Sequence, residues 1–167
     1  MEYSGETVCS SVMMATAVPA GNQISHALAL VEAGLKSQNI TIHLEAHQDV
    51  VLTGFPNEYS QVILNLLSNA GDAVKAKCVA EGIITIRVFE GDGLGCVSIS
   101  DNGGGIAVDV IGKIFEPYFS TREMGTGIGL YMSKMIIERS MNGTIEAHNI
   151  DGGAEFVVSL PLGTAAL

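Results

Sequence analysis

Tryptophan is absent from this chain of 167 residues, and four Tyr and five Phe are its only aromatic side chains. Basic residues are scarce as well: eight Lys and Arg stand against 18 Asp and Glu, a formal net charge of −10. That deficit argues against nucleic acid as a partner, because a phosphate backbone is held by clustered cations. It also means that a bound polyphosphate has to be met by backbone amides, helix dipoles or a metal ion. Cysteine is limited to Cys9, Cys78 and Cys96, an odd number without metal-ligand spacing, which suits unpaired thiols in a reducing, cytoplasmic setting. The four histidines, His26, His43, His47 and His148, are scattered. His43 and His47 are four apart, but the segment between them reads as strand and turn, so a metal pair is not expected. No apolar run reaches the roughly 18 residues of a membrane span. Residues 1–20 carry Glu2 and Glu6 where a secretory leader wants a basic start, so they read as a tail or the remnant of an upstream element.

What is present is apolar. Hydrophobic residues make up 47% of the chain and mean hydropathy is +0.36, which together with the length predicts one globular domain, residues 21–163, followed by a short tail at 164–167. "NQISHALALVEAGLK" (22–36) has helical spacing with Asn22 as its cap. "ITIHLEA" alternates as a strand, with "VVL" expected to pair beside it. Pro56 opens a helix expected to run to about Ala80. "IITIRVFE" and "LGCVSISD" form a hairpin through "GDG"; "TIEAHNI" and "AEFVVSLPL" form another through "DGG". Between them "GIGLYMSKMIIERSM" reads as one amphipathic helix ending at Asn142-Gly143. The order predicts an α+β fold, with helices layered on one face of a mixed sheet.

Four segments carry chemistry. In "NLLSNAGDA" the residues Asn65, Asn69 and Asp72 share a stripe about 80° wide with Glu58 and Gln61, opposite Ile63, Leu67, Ala70 and Val74. Asn and Asp are poor interior helix residues, so the stripe is either a solvated face or a polar wall turned to a ligand. "DNGGGI" ends a strand with Asp101 and three glycines. It reads either as an ordinary turn or as a carboxylate at a pocket mouth, with glycines admitting a flat ring. "GTGIG" (125–129) leads into a helix, and reads either as a plain flexible loop or as a phosphate loop, since free N–H groups there favour an anion. "GDGLG" (91–95) has the same spacing but leads into a strand and reads as a hairpin turn. "IFEPYFSTRE" (114–123) gathers Phe115, Tyr118 and Phe119 between the two glycine stretches. It is either a satellite core or a movable lid, and its place favours a lid over about 107–126 held by few apolar anchors.

Taken in order, these four segments resemble the asparagine box, first glycine box, phenylalanine box and second glycine box of the ATP-binding catalytic domain of bacterial sensor histidine kinases. That domain belongs to the superfamily shared with DNA gyrase, a heat-shock chaperone and mismatch-repair ATPases. The resemblance covers about residues 20–162. It implies the Bergerat fold, a two-layer α/β sandwich whose mostly antiparallel mixed sheet is covered on one face by three helices, with an ATP lid. It further implies that Asn69 coordinates Mg²⁺ on the triphosphate and that Asn65 supports metal or phosphate. Asp101 takes a hydrogen bond from the adenine amino group, and Gly103 and Gly105 line the base pocket. Gly125, Gly127 and Gly129 hold phosphates. Asp72, Ile106, Phe115, Thr126 and Leu130 complete the nucleotide site; Arg122 either reaches the phosphates when the lid closes, supplying charge that an acidic chain otherwise lacks, or is an ordinary surface arginine.

Three departures stand out. Gly104 makes the first glycine box more flexible than the family's pattern. Phe55 replaces the Asp that caps the helix at Pro56. The phosphoacceptor histidine is expected on a separate dimerisation hairpin, since "SHAL" at 25–28 lacks the acceptor motif's Arg and Pro, and His26 reads as an ordinary helix residue. Asn65 occupies the position where hydrolysing and serine-kinase relatives carry a Glu base, and an amide cannot accept a proton near neutral pH. The resemblance therefore implies phosphoryl transfer from Mg·ATP to a histidine hairpin, a response regulator downstream, and a monomeric isolated domain. The alternatives are a non-catalytic ATP-binding module, or an ATPase or serine kinase of the same superfamily.

Overall fold

The computed structural model describes residues 14–46, 49–121 and 125–163. The elements run β1 (Thr16–Pro19), α1 (Ala20–Ser37), β2 (Ile40–Ala46), β3 (Val51–Gly54), α2 (Pro56–Lys77), β4 (Gly82–Gly91), β5 (Leu94–Asp101), α3 (Gly129–Met135), β6 (Thr144–Ile150) and β7 (Gly153–Pro161). A five-stranded sheet has the order β2-β4-β5-β7-β6. Only β2 and β4 pair in parallel, and the other three pairings are antiparallel, so the sheet is mixed and mostly antiparallel as expected. Its helix-facing side carries Ile84, Ile86, Val88, Val97, Ile99, Val158 and Leu160, all buried. The opposite side is largely polar, with Arg87 Nε on Glu45 Oε2 at 2.9 Å.

Helix α2 is the centre of the helical layer. Tyr59, Val62, Ile63, Leu66, Leu67, Ala70, Gly71 and Val74 are buried at spacings of three and four. A Cβ on Gly71 would lie 2.7 Å from Leu35 Cδ2, so this glycine sets how closely α1 and α2 approach. Pro56 stands in the first turn and Phe55 caps nothing with its side chain. The helix stops at Lys77, three residues before the expected end, because Cys78 turns left-handed (φ 55°) and donates to the carbonyls of Lys75 and Val74.

Two expectations are corrected. The strand at 51–54 does not pair with β2. It pairs antiparallel with β1, a strand inside the segment read as a tail, with Ala17 opposite Thr53 and Val18 opposite Leu52. Residue 50 is also drawn into that corner, since Ala20 N–H donates to Val50 O at 2.9 Å. The last helix is not uniform either. After Met135 it widens into a π-helical turn, Ile136–Ser140, in which Met141 N–H reaches Ile136 O. Asn142 then turns left-handed (φ 55°) ahead of Gly143. The first hairpin behaves as read: Asp92 (φ 53°) and Gly93 (φ 76°) both take the left-handed conformations that a two-residue turn requires.

Tyr59 is fully buried, and its hydroxyl has no hydrogen-bond partner among the described residues. Burial pushes its pKa upward. A buried hydroxyl without a partner costs stability, so Tyr59→Phe is expected to raise unfolding free energy by about 1 kcal/mol. Urea denaturation reads this directly, and a loss of comparable size would mean that the hydroxyl is bonded after all.

Candidate functional site

Alternation along β5 places Asp101 on the helix-facing side of the sheet, in register with Ile84 of β4. Asp101 is 6% exposed, and its carboxylate accepts the Gly103 N–H at 2.8 Å. Burial raises its pKa above the usual carboxylate value, and the Gly103 and Ala154 amides pull it partly back. An ionisable group is thus kept in a desolvated place, which marks it for a task other than packing. The chain leaves Asp101 directly against α2. A Cβ on Gly103 would lie 2.6 Å from the Ala73 carbonyl carbon and 2.8 Å from Val74 N, so no larger residue fits between loop and helix.

Eight residues earlier on α2, Asn65 meets the other glycine segment. Its Nδ2 donates to the buried Ser133 Oγ of α3 at 2.9 Å, and its Oδ1 would lie 2.5 Å from a Cβ on Gly129. At 1.5 Å of rise per residue, the two glycine loops touch α2 at points roughly 12 Å apart. Between them lies a cavity of about 570 Å³, within the range of small-molecule and cofactor pockets.

The structure brings most of the expected residues to this wall. Asn65, Asn69, Asp72, Asp101, Gly103, Gly105, Ile106, Thr126, Gly127, Gly129 and Leu130 all line the cavity. Phe115 does not. Its ring stands edge-on to Phe156 at 6.2 Å, with Lys134 Nζ 5.1 Å from its centroid, and it is Phe156 that reaches the cavity. Gly125 also lies off the wall, while Arg122 lies outside the described residues. Gln61 is exposed and, like Glu58, is not part of the wall, so only the later part of the helix stripe faces the cavity.

The segment at 107–121 has better anchors than its sequence suggests. It contains a 3-10 turn at Ile111–Lys113, its Ile114 is buried, and Val110, Phe115 and Phe119 pack on the core. Several lining residues were not singled out from the sequence. Ala73, Ala76 and Lys77 continue the α2 stripe, so helical spacing carried a signal for them. Ala154 and Phe156 look like ordinary core positions of an alternating strand, and nothing local distinguishes them.

The chain is similar to known proteins in sequence and in fold. Residues 54–164 match the family model described as "Histidine kinase-, DNA gyrase B-, and HSP90-like ATPase". The chain is 39% identical over 142 residues to the sensor histidine kinase ZraS of Klebsiella oxytoca, covering 83% of this chain and 30% of that protein. It superposes on the catalytic domain of the histidine kinase ThkA with a TM-score of 0.81 at 29% identity, covering 89% of this chain and 96% of that one. ThkA in complex with the response regulator protein TrrA also matches, with a TM-score of 0.73 at 26% identity, covering 89% of this chain and 42% of ThkA. The chain therefore belongs to the histidine kinase-, gyrase- and HSP90-like ATPase family, as a domain homologous to those of sensor histidine kinases. It spans about 30% of the length of ZraS. No helix among the described residues is long and apolar enough to cross a membrane.

Proposed function

We propose that this domain binds Mg·ATP in the cavity along α2 and passes the γ-phosphoryl group to a histidine on a separate helical hairpin, which in turn serves a response regulator. The observation that carries the reading is the spacing of the two glycine loops along one helix face. One presents Asp101 to a base, and the other leaves room for phosphates beside Asn65 and Asn69. A Cβ at Gly103, Gly105, Gly127 or Gly129 would run into neighbouring protein atoms, so glycine at these positions lets the segments that line the cavity pack closely on α2, Asn149 and the Tyr118–Phe119 backbone.

The donor set suits a magnesium nucleotide. Asn69, with Asn65 beside it, offers neutral amide oxygens, the hard oxygen ligands that Mg²⁺ accepts alongside phosphate and water. Mg²⁺ supplies charge neutralisation on the transferring group, which an acidic chain needs. Asn65 cannot take a proton from water, and its amide is held by Ser133, so hydrolysis lacks a base at that position. A neutral histidine is already nucleophilic, and transfer then depends on positioning.

Labelled ATP with Mg²⁺ tests this reading, with the chain alone and with a histidine-bearing hairpin added. None of the described histidines lines the cavity, so the chain alone is expected to bind Mg·ATP, turn it over very slowly and remain unlabelled. The added hairpin is expected to gain acid-labile phosphate, weakly, because no covalent tether concentrates it. Rapid turnover by the chain alone would make it an ATPase. Acid-stable phosphate on a serine would make it a serine kinase, and binding without any transfer would leave a nucleotide-binding module.

A further inference from the structure

Three consecutive glycines, 103–105, read as a slack loop, yet the structure ties that loop at its start, middle and end. At its start Asn102 Oδ1 accepts the Ile83 N–H at 2.9 Å, while its Nδ2 donates to Glu81 O at 2.8 Å. In the middle, Gly104 N–H donates to Gly152 O at 2.9 Å. At its end Asn149, on the edge strand β6, grips Ile106 with both halves of its amide. Oδ1 accepts the Ile106 N–H at 2.7 Å and Nδ2 donates to the Ile106 carbonyl at 2.6 Å. The N–H and C=O of one residue belong to successive peptide units. Holding both therefore restrains the Ile106 dihedrals and the direction of its side chain. Gly105 completes the seat: its φ is +83°, and a Cβ there would lie 2.9 Å from Asn149 Oδ1 and 3.1 Å from Gly153 O.

Asn149 does not line the cavity, whereas Gly105 and Ile106 do, together with Asp101. We infer that Asn149 is a positioning residue for the base end of the site. Through its clamp on Ile106 it holds Gly105 and Ile106 at the spacing from which Asp101 meets an adenine amino group. This rests on the nucleotide reading above. The clamp acts before the ligand arrives, so its contribution is preorganisation and appears in affinity for the correct base.

Titration calorimetry with Mg·ATP and Mg·GTP on the wild type, Asn149→Ala and Asn149→Asp tests the inference. Asn149→Ala removes both bonds, and Asn149→Asp keeps the acceptor while turning a negative oxygen on the Ile106 carbonyl. Both variants are expected to bind ATP about three- to tenfold more weakly, the scale of one net hydrogen bond. GTP binding is expected to change less, so the ATP/GTP ratio narrows, which a purely structural role would not produce. The Ile106 amide is expected to exchange faster in nucleotide-free Asn149→Ala, and this check does not depend on ATP binding. Unchanged ATP affinity in either variant, equal losses for ATP and GTP, or unchanged Ile106 exchange would overturn the clamp's role. A wild-type chain that binds neither nucleotide would instead overturn the nucleotide reading, a distinguishable failure.

Discussion

Asp101→Ala is expected to weaken ATP binding by about 100-fold, the scale of one lost charge-assisted hydrogen bond together with an unpaired donor on the ligand. Guanine presents a carbonyl where adenine presents an amino group, so the wild type is expected to prefer ATP and the variant to lose most of that preference. Equal wild-type affinities for ATP and GTP would remove the assignment. Stability is expected to move the other way. Burial raises the Asp101 pKa, so the folded state favours the protonated carboxyl. The stability this group contributes is full below the unfolded-state value near 3.8 and is lost as pH rises through the higher folded-state value. Asp101→Asn escapes that loss. Its Tm is expected to gain on the wild type as pH rises above about 4, with the gain vanishing at lower pH. A variant that binds nucleotide poorly yet melts higher would identify Asp101 as a residue kept for recognition at the expense of stability.

Asn69→Ala is expected to abolish the Mg²⁺ dependence of ATP binding and to lower transfer to the hairpin histidine by about 100-fold or more, because metal neutralisation supports the transferring group. Thermal stability is expected to change far less than transfer does, because the few tenths of a kcal/mol by which Ala favours a helix over Asn offset part of what the Asn69 side chain's own contacts contribute. Titrations with and without EDTA, alongside melting curves, separate the two effects. Wild-type Mg²⁺ dependence in the variant would return Asn69 to an ordinary polar helix position.

Helix α2 and the two hairpins were legible because burial follows local periodicity. Ile84, Ile86 and Val88 alternate along β4, and Tyr59, Ile63, Leu66, Leu67, Ala70 and Val74 recur at helical spacing. The polar stripe was legible for the same reason, although periodicity could not say which part of it faced a ligand. Contacts made at a distance were not legible. Strand β1 is four residues ending in Pro19, with no pattern to separate it from a tail, and its partner β3 lies across the whole of α1 and β2. Phe115 was grouped with the ligand by its neighbours in the chain, yet it is Phe156, on β7, that lines the wall, with the Phe115 ring edge-on to it.

The chain by itself determined the period of each element, the acidic balance that leaves any polyphosphate to backbone amides, helix dipoles or a metal, and the places of its glycine stretches. These are properties of single residues or of neighbours within a turn, and a sequence displays them directly. Only the tertiary structure decided that Gly103 and Gly129 meet the same helix eight residues apart, that Ser133 holds Asn65, and that Asn149 clamps a loop 43 residues before it. Each of those contacts joins segments whose separation along the chain carries no local signal. They exist because sheet order and helix packing close the intervening loops.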